Sequence, residues 1–302
     1  EAALKYFLMG AFATGIMLFG MALLYGATGS FNLTAIKGYV LANNAPSAML
    51  YVGLLMLLIG MLFKVSAAPF HFWTPDVYDG APTIFTTYMS TIVKTAGFAA
   101  IYRLLSGSFS GIYSFWWMTL AVITVLTLLA GNITAVYQTS FKRMMAYSSI
   151  SHAGYLLLSL TALTNQSQSA IVFYSMAYSI ATISAFGVLM LVAKETGVHS
   201  YENAERFEAF NGLGKKNPLL AFVLTVSMLS LAGIPLTAGF WGKFFVFSSA
   251  ADRGLTWMLV IAILMSTVGI YYYFKAIIAA YMRDGELSAI RVSPFYRLIL
   301  IA

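Results

Sequence analysis

Long apolar runs alternate with short polar stretches along the whole chain. Eight runs are long enough to cross a bilayer, because about 20 helical residues span its hydrocarbon core. They lack the strict alternation of barrel strands, and a backbone in lipid must satisfy its hydrogen bonds internally. The sequence therefore predicts an all-α, polytopic transmembrane helix bundle. The runs cover roughly residues 4–25, 48–65, 83–105, 112–137, 142–163, 169–193, 218–247 and 255–282, and a ninth begins near 295.

Proline and glycine interrupt two of these runs. Pro69 removes a backbone donor and clashes with the preceding turn, so the second run should break near 66–69. Gly233, Pro235 and Gly239 should break the seventh run in the same way. Broken helices often line a cavity in membrane transporters, although proline and glycine also kink ordinary transmembrane helices. Both interpretations stay open at this point.

Composition supports a membrane protein. The chain has 302 residues, of which 60% are apolar and 9% are charged, against about 25% charged in an average soluble domain. The net charge of +7 comes without a basic helix or an aromatic RNA-binding motif, so we expect no nucleic-acid partner. The absence of cysteine from the sequence excludes disulfides and cysteine-ligated iron–sulfur clusters in this chain.

Basic residues are distributed unequally between the two sides of the predicted bundle. If the N-terminus is placed on side one and the runs alternate, eleven of the seventeen lysines and arginines lie on side one and three on side two. The positive-inside rule then assigns side one, with the N-terminus, to the cytoplasm. We expect the loop 194–217 to be an ordinary solvated connection on that side. Asp76 and Asp79 are expected on the outer side.

Three lysines lie in or beside apolar runs, where charge is costly. Lys94 falls near the middle of its run, whereas Lys64 and Lys243 each lie close to a predicted break. A lysine at the centre of a bilayer costs on the order of 3 kcal/mol, so it is rarely there by chance. Burial disfavours the ammonium form and can prepare such a residue to take up and release protons. The alternative is snorkelling of the side chain to the headgroups.

Two histidines add candidate proton carriers, because imidazole titrates near neutrality. His71 follows the first break among aromatic residues, and packing is an equally good interpretation of it. His152 lies in a polar stretch of the fifth run with Ser148, Ser149, Ser151 and Tyr155. These side chains could hold a file of water or form interhelical hydrogen bonds.

Other chemistry finds little support in the sequence. One histidine and the nearby Asp76 and Asp79 provide too few ligands for a metal, and Asp76 is better placed to cap a turn. His199 in the long loop is expected to be inert. Motifs for nucleotide binding, zinc proteases and serine hydrolases do not occur.

Four sequence features occur together in one order. They are FKVSAAPFHFWTPDVYDGAPT, the mid-run Lys94, KRMMAYSSISHAGY and MLSLAGIPLTAGFWGKF. With them the chain resembles, over essentially its whole length, the antiporter-like membrane subunits of proton-pumping NADH:quinone oxidoreductase, respiratory complex I. Within that family it resembles subunit N most. A photosynthetic counterpart and the subunits of multi-subunit sodium/proton antiporters are similar as well.

The resemblance implies a fold of two inverted repeats, each with one broken helix. Residues 1–110 would form the C-terminal part of the first repeat, with three spans and the break near 66–69. Residues 111–285 would form the second repeat, with five spans and the break near 233–239. Residues 286–302 would begin a final span. Because the chain opens without methionine and stops inside an apolar run, we expect a piece of a longer protein.

The resemblance also implies roles for particular residues. Lys64 would be the central lysine at the first break, Lys94 the connecting lysine on the next helix, and Lys243 the lysine at the second break. In the family the first-break lysine works with a glutamate on a span that would precede this chain. Two further positions besides His152 match polar positions of the family: His71 and Lys5.

On this resemblance the chain would be a non-redox, proton-translocating subunit that is not catalytic in isolation. FMN, iron–sulfur clusters and quinone would belong to other subunits, and this chain would hold no cofactor or metal. Its partners would be other membrane subunits of complex I, especially antiporter-like neighbours, with lipid and protons, in a bacterial inner membrane. The alternatives are a subunit of a sodium/proton antiporter and a non-conducting structural remnant.

Overall fold

The apolar runs fold into helices close to the expected positions. Among the described residues no strand is formed, and one isolated β-bridge joins Ser140 and Arg206. His199 and almost all of 286–302 lie outside the described residues. The computed structural model describes residues 1–43, 46–195, 205–285, 289, 290, 292 and 296.

The helices follow one another with short connections. A π-turn joins two of them, and short 3-10 turns precede two others. In chain order they are α1 (Ala2–Thr28), α2 (Leu33–Ala42), α3 (Ala48–Lys64), α4 (Trp73–Gly80), α5 (Thr83–Tyr88), the π-turn (Met89–Val93), α6 (Lys94–Gly107), a 3-10 turn (Ser110–Ile112), α7 (Tyr113–Val136), α8 (Phe141–Ala162), α9 (Ser167–Glu195), a 3-10 turn (Phe207–Phe210), α10 (Leu213–Lys216), α11 (Pro218–Ala232), α12 (Ala238–Asp252) and α13 (Thr256–Met282).

By length and composition, four of the described helical segments could each cross a membrane: Ala2–Thr28, Ser110–Val136, Ser167–Lys194 and Thr256–Met282. Large apolar side chains such as Phe12 of α1 point outward, as expected for helices whose solvent is lipid. The expected all-α transmembrane bundle is confirmed, and the chain is an integral membrane protein.

Helix α8 lies at the centre of the bundle. Every residue of α8 is buried except Arg143 and Tyr147, and the helix packs against α4, α7, α9, α12 and α13. A helix that is buried all round belongs to the interior. Close approach to α7 requires a glycine, because a Cβ on Gly131 would lie 2.5 Å from the backbone nitrogen of Ser151.

Two apolar clusters pack around α8 at different levels. One cluster includes Phe141, Met144 and Met145 near the start of α8, and the other includes the stretch 153–162 apart from its polar and glycine positions. Between these levels α8 carries a buried polar layer, which consists of Ser148, Ser149, Ser151 and His152. The polar layer is thus enclosed by apolar packing on both sides.

The first break lies between α3 and α4. Helix α3 ends at Lys64, and Ser66 adopts a left-handed backbone conformation with φ of 63°. The indole nitrogen of Trp73 donates to the carbonyl of Phe63 at 3.1 Å, and the same carbonyl accepts from the backbone nitrogen of Ser66 at 3.1 Å. The peptide bond preceding Pro69 is cis.

The second break lies between α11 and α12. Helix α11 ends at Ala232, and Gly233 follows with φ of 81°, a conformation that favours glycine. Leu236 also has a positive φ, 75°. The backbone N–H of Gly239 donates to the Ser230 hydroxyl at 3.1 Å. Both expected interruptions of the fold are therefore confirmed.

The connections differ from expectation in two places. Helix α2 was not expected; Asn32 caps it by accepting from the backbone nitrogens of Thr34 and Ala35. The described part of the long loop is not a solvated connection, because Phe207, Phe210 and Leu213 are buried. Apolar side chains therefore fold this segment back onto the bundle. The division of the chain into repeats at residue 110 stays a prediction.

Candidate functional site

Lys94 lies inside the bundle and is bound by α8. Its side chain is 2% exposed, and its ammonium donates to the carbonyl oxygen of Ser149 at 2.8 Å and to the hydroxyl of Ser149 at 2.6 Å. The Tyr178 hydroxyl of α9 donates to the same serine hydroxyl at 2.9 Å. Lys94 directly follows the π-turn, a widened turn that is frequent at functional sites.

Lys243 lies on α12 and reaches back to the second break. Its ammonium donates to the carbonyl of Ala232, the last residue of α11, at 2.8 Å and to the hydroxyl of Ser266 on α13 at 2.9 Å. It also lies 4.9 Å from the centre of the Tyr155 ring. A cation at the C-terminal end of a helix is stabilised by the helix dipole.

Neither of these two buried lysines forms an ion pair with any residue that the structure describes. Each ammonium instead donates hydrogen bonds to one carbonyl oxygen and one serine hydroxyl. These are neutral acceptors, which satisfy the ammonium without fixing its charge as a carboxylate would.

His152 joins the surroundings of the two lysines. Its Nδ1 lies 2.6 Å from the Tyr174 hydroxyl, and its Nε2 lies 2.9 Å from the Tyr273 hydroxyl, which also contacts Ser148. The imidazole packs at 4.7 Å from the ring of Tyr178, the tyrosine that contacts the Lys94 partner. Because neutral imidazole has one donor and one acceptor nitrogen, the two tyrosine hydroxyls have opposite roles.

A small cavity lies beside His152 and opens toward the second break. It measures about 10 Å³, close to the room that one water needs, and polar groups of Ser230 and Tyr174 lie in its wall. The cavity also touches Gly239 of α12. The imidazole and residues on both sides of the second break, Leu231 and Gly239, therefore share one cavity wall.

Lys64 has different surroundings. It is the last residue of α3 and is only partly buried, and its ammonium lies 5.8 Å from the Tyr6 ring of α1. Among the described residues no oxygen accepts a hydrogen bond from it. The structure therefore brings Lys94, His152 and Lys243 into one buried layer and leaves Lys64 outside it.

His71 and Lys5 also lie outside this layer. His71 stacks on Phe72 in the first break, and its Nδ1 is buried without a hydrogen-bond partner in the part of the chain that is described. Lys5 of α1 is ion-paired with Asp76 of α4. Neither side chain hydrogen-bonds to Lys94 or Lys243.

An ionic cluster at the end of the bundle corrects one expectation. Asp76 binds both Lys5 and Arg143 (2.8 Å), and Asp79 lies 3.8 Å from Arg143 and accepts from the Ser140 hydroxyl at 3.0 Å. Lys5 and Arg143 belong to side one, so the placement of the two aspartates on the outer side was wrong. Helix α1 crosses the bundle in one direction and α3 crosses back, which returns α4 to the side where α1 begins.

Beside this cluster, the long loop is held by a buried lysine. Lys142 donates to the carbonyl of Ala81 at 2.6 Å and to the carboxylate of Glu205 at 2.8 Å. Burial raises the pKa of Glu205, although its contact with Lys142 opposes the shift. The loop is thus attached to the start of α8 by a charged contact as well as by apolar packing.

Several residues of the buried layer were not foreseen as parts of a site. The sequence predicted Ser149 as part of a polar stretch but not as a lysine partner, and it predicted no role for Tyr178 or Ser266. Asn132 accepts from the Tyr272 hydroxyl at 3.1 Å in the same region. A sequence signal existed only for Asn132, a polar residue inside an apolar run. Among the described residues no group of three or more potential metal ligands comes together.

Comparison with known proteins decides the family. The family described as NADH:quinone oxidoreductase/Mrp antiporter, transmembrane, matches residues 1–269. The chain belongs to this family. A protein of Trichlorobacter lovleyi called NADH-quinone oxidoreductase subunit N is 47% identical over 287 residues, which cover 95% of this chain and 58% of that protein.

Solved structures of the NADH:quinone oxidoreductase/Mrp antiporter family have the same fold. A chain of respiratory complex I from Thermus thermophilus matches with a TM-score of 0.83 and 40% identity, over 100% of this chain and 64% of that one. A chain of the Mrp complex from Dietzia matches with a TM-score of 0.84 and 26% identity, over 94% and 51%. The chain thus spans about three fifths of the length of its subunit N relative.

Proposed function

We propose that this chain forms the larger part of a proton-translocating subunit of an NADH:quinone oxidoreductase, similar to subunit N. The observation that carries the proposal is the set of three buried ionisable side chains, Lys94, His152 and Lys243, in which each lysine is bound by neutral oxygens. Buried ionisable groups in a membrane protein usually mark an ion path. The identity of 47% to a protein named subunit N supports the same function.

In this mechanism the lysines exchange protons and the hydroxyl groups between them orient the transfer. A charged Lys94 passes its proton toward the Ser149 and Tyr178 hydroxyls, and His152 receives protons on one ring nitrogen while it gives one from the other. Lys243 takes up and releases its proton at the second break, where its ammonium contacts the Ala232 carbonyl and the Ser266 hydroxyl. Lys64, His71 and Lys5 would serve the half of the path at the first break.

The subunit would act inside a larger complex. Electron transfer and its FMN, iron–sulfur clusters and quinone would lie in other subunits, and this chain would supply the translocating membrane part of a translocase. Antiporter-like subunits would be its neighbours. Eleven of the seventeen basic residues fall on side one, which supports a cytoplasmic N-terminus in a bacterial inner membrane.

A sodium/proton antiporter subunit is the less favoured alternative. The Mrp chain is 26% identical to this one, against 40% for the complex I chain. A dehydrated sodium ion prefers several oxygen ligands, including charged ones. In the part of the chain that is described, the buried layer contains no carboxylate.

The test replaces Lys94 and Lys243 by methionine, one at a time, in the complete subunit within its complex. Methionine has a similar volume and carries no proton, so proton translocation per NADH oxidised should fall at least about tenfold in each variant. Translocation is measured in inverted membrane vesicles with a pH-sensitive dye. Addition of sodium should not restore it.

Lys37→Met is the matched control, because Lys37 of α2 is exposed and its charge lies outside the buried layer. This variant should translocate normally, and all three variants should assemble in equal amounts. Normal translocation in both Lys94→Met and Lys243→Met would overturn the proposal, whereas sodium-dependent exchange would favour the antiporter.

A further inference from the structure

A lysine that gains and loses a proton needs partners in both states. The ammonium has three N–H donors, whereas the neutral amine has two donors and one lone pair that can accept. A carbonyl oxygen can only accept, so it cannot serve the lone pair. A hydroxyl can accept from the ammonium and donate to the amine.

The contacts of Lys243 contain one group of each kind. The Ala232 carbonyl accepts at 2.8 Å, and the Tyr155 ring at 4.9 Å attracts only the charged form. The hydroxyl of Ser266 lies at 2.9 Å. Among the described residues bonded to this nitrogen, Ser266 provides the group that can also donate.

We propose that Ser266 is a positioning residue for Lys243, whose hydroxyl reverses its hydrogen bond when the lysine changes protonation state. When the ammonium gives up a proton to its acceptor on the path, its nitrogen keeps the lone pair, and the Ser266 O–H rotates to donate to it. No bond of the serine breaks, and the proton count changes only at the lysine. The proposal rests on the proposed function, because it assumes that Lys243 titrates during turnover.

The same arrangement occurs at the other buried lysine. Lys94 is bound by one carbonyl and one hydroxyl, both from Ser149. Ser149 is completely buried and also accepts from Tyr178, so it tolerates little change. Ser266 is only partly buried and therefore offers the cleaner experiment.

Other titratable groups also face Lys243 and could contribute to the pH dependence of translocation. Helix α8 presents His152 and Tyr155, α9 presents Tyr174 against Gly242, and α13 presents Tyr272 next to Tyr155. Helix α11 contributes the Ala232 carbonyl. The hydrogen bonds of His152 go to the Tyr174 and Tyr273 hydroxyls, and Ser266 makes no hydrogen bond to it among the described contacts.

The experiment measures proton translocation against pH for Ser266→Ala in the complete subunit within its complex. The ammonium loses a stronger hydrogen bond than the neutral amine does, so the protonation equilibrium shifts by about tenfold toward the amine, which moves the pH midpoint of translocation by about one unit toward lower pH. Ser266→Thr keeps the hydroxyl and should restore most of the wild-type profile. Thr267→Val is the matched control, because the Thr267 hydroxyl bonds to the carbonyl of Ile263 on its own helix and to no other of the described residues.

The outcomes separate this inference from the proposed function. If Lys243→Met loses translocation and Ser266→Ala keeps both the wild-type rate and the wild-type pH midpoint, the positioning role is refuted alone. If Ser266→Thr behaves like Ser266→Ala, the hydroxyl is not the active group and the inference also fails. Wild-type translocation by Lys243→Met would remove the premise that Lys243 titrates and so refute this inference, and wild-type translocation by Lys94→Met as well would refute the proposed function.

Discussion

At both breaks in the bundle, a side chain donates a hydrogen bond to a backbone carbonyl at the end of a helix, but the donors differ. At the first break the Phe63 carbonyl accepts from the neutral indole of Trp73, and at the second the Ala232 carbonyl accepts from the ammonium of Lys243. Helix ends leave several carbonyls unpaired, so each break needs a donor of some kind. The lysine of the first break, Lys64, is not used for this purpose.

Because of this difference, the backbone hydrogen bonds at the first break do not depend on the charge of its lysine, whereas those at the second break do. The backbone at the first break keeps its hydrogen bonds whatever the charge of Lys64, because a tryptophan holds it. At the second break a change in the protonation of Lys243 changes a bond that closes the end of α11. We therefore expect the second break to be the more sensitive of the two to substitutions near its lysine.

The largest effect is expected for Gly233→Ala. Gly233 has φ of 81°, and a Cβ there would lie 2.7 Å from Cδ of Lys243. Backbone strain and displacement of the lysine together should lower the free energy of unfolding by about 2–4 kcal/mol. Thermal unfolding of the purified complex checks the stability, and translocation should fall with it.

The matching change at the first break is Ser66→Gly. Ser66 has φ of 63°, so glycine relieves strain there while it adds freedom to the unfolded chain. The two effects should nearly cancel and leave translocation unchanged. If Ser66→Gly lowered the free energy of unfolding and translocation as much as Gly233→Ala, the two breaks would not differ in their sensitivity to substitution.

An intermediate effect is expected for Trp73→Phe. Phenylalanine keeps most of the ring packing but cannot donate to the Phe63 carbonyl, which retains its contact with the backbone nitrogen of Ser66. The loss should be about 1–2 kcal/mol in the free energy of unfolding, measured by thermal unfolding. The pH dependence of translocation should be unchanged, since no proton carrier is touched. A shifted pH profile would show that the first break is coupled to charge after all.

A small effect is expected for Asp76→Asn, which weakens the ionic cluster that attaches α4 to α1 and α8. Asp76 is about one third exposed and binds both Lys5 and Arg143. Partly exposed ion pairs contribute little, so the loss should stay below about 1 kcal/mol and shrink further as salt is raised. Unfolding measured at low and high salt checks this. A loss that does not depend on salt would point to packing and not to charge.

Much of the fold could be read from the sequence because it depends on local pattern. Apolar runs of membrane-spanning length predicted the long helices, and proline and glycine marked both breaks. Helix α2 was missed although Asn32 is a good N-cap, because its run is too short to suggest a span. The side of Asp76 was misassigned, and its contacts with Lys5 and Arg143 correct it.

The partners within the buried layer could not be read in the same way. Lys94 and Ser149 are 55 positions apart, and Lys243 and Ser266 lie on different helices. Serine is common in transmembrane helices, so composition does not distinguish a lysine partner from an ordinary interhelical contact. Lys64 and Lys243 were similar by sequence, because each lies close to a predicted break, and only helix packing separates them.

The position of Lys94 within its helical stretch has an electrical consequence. The sequence predicts that the run 83–105 spans the membrane, and Lys94 lies near the middle of the continuous helical stretch from Thr83 to Gly107, so a proton that reaches it would have crossed roughly half of the membrane field. Half of one charge crossing corresponds to about 1.2 kcal/mol for every 100 mV. In the proposed mechanism, loading of Lys94 is therefore an electrogenic step, and the voltage that the complex builds acts back directly on the occupancy of this residue.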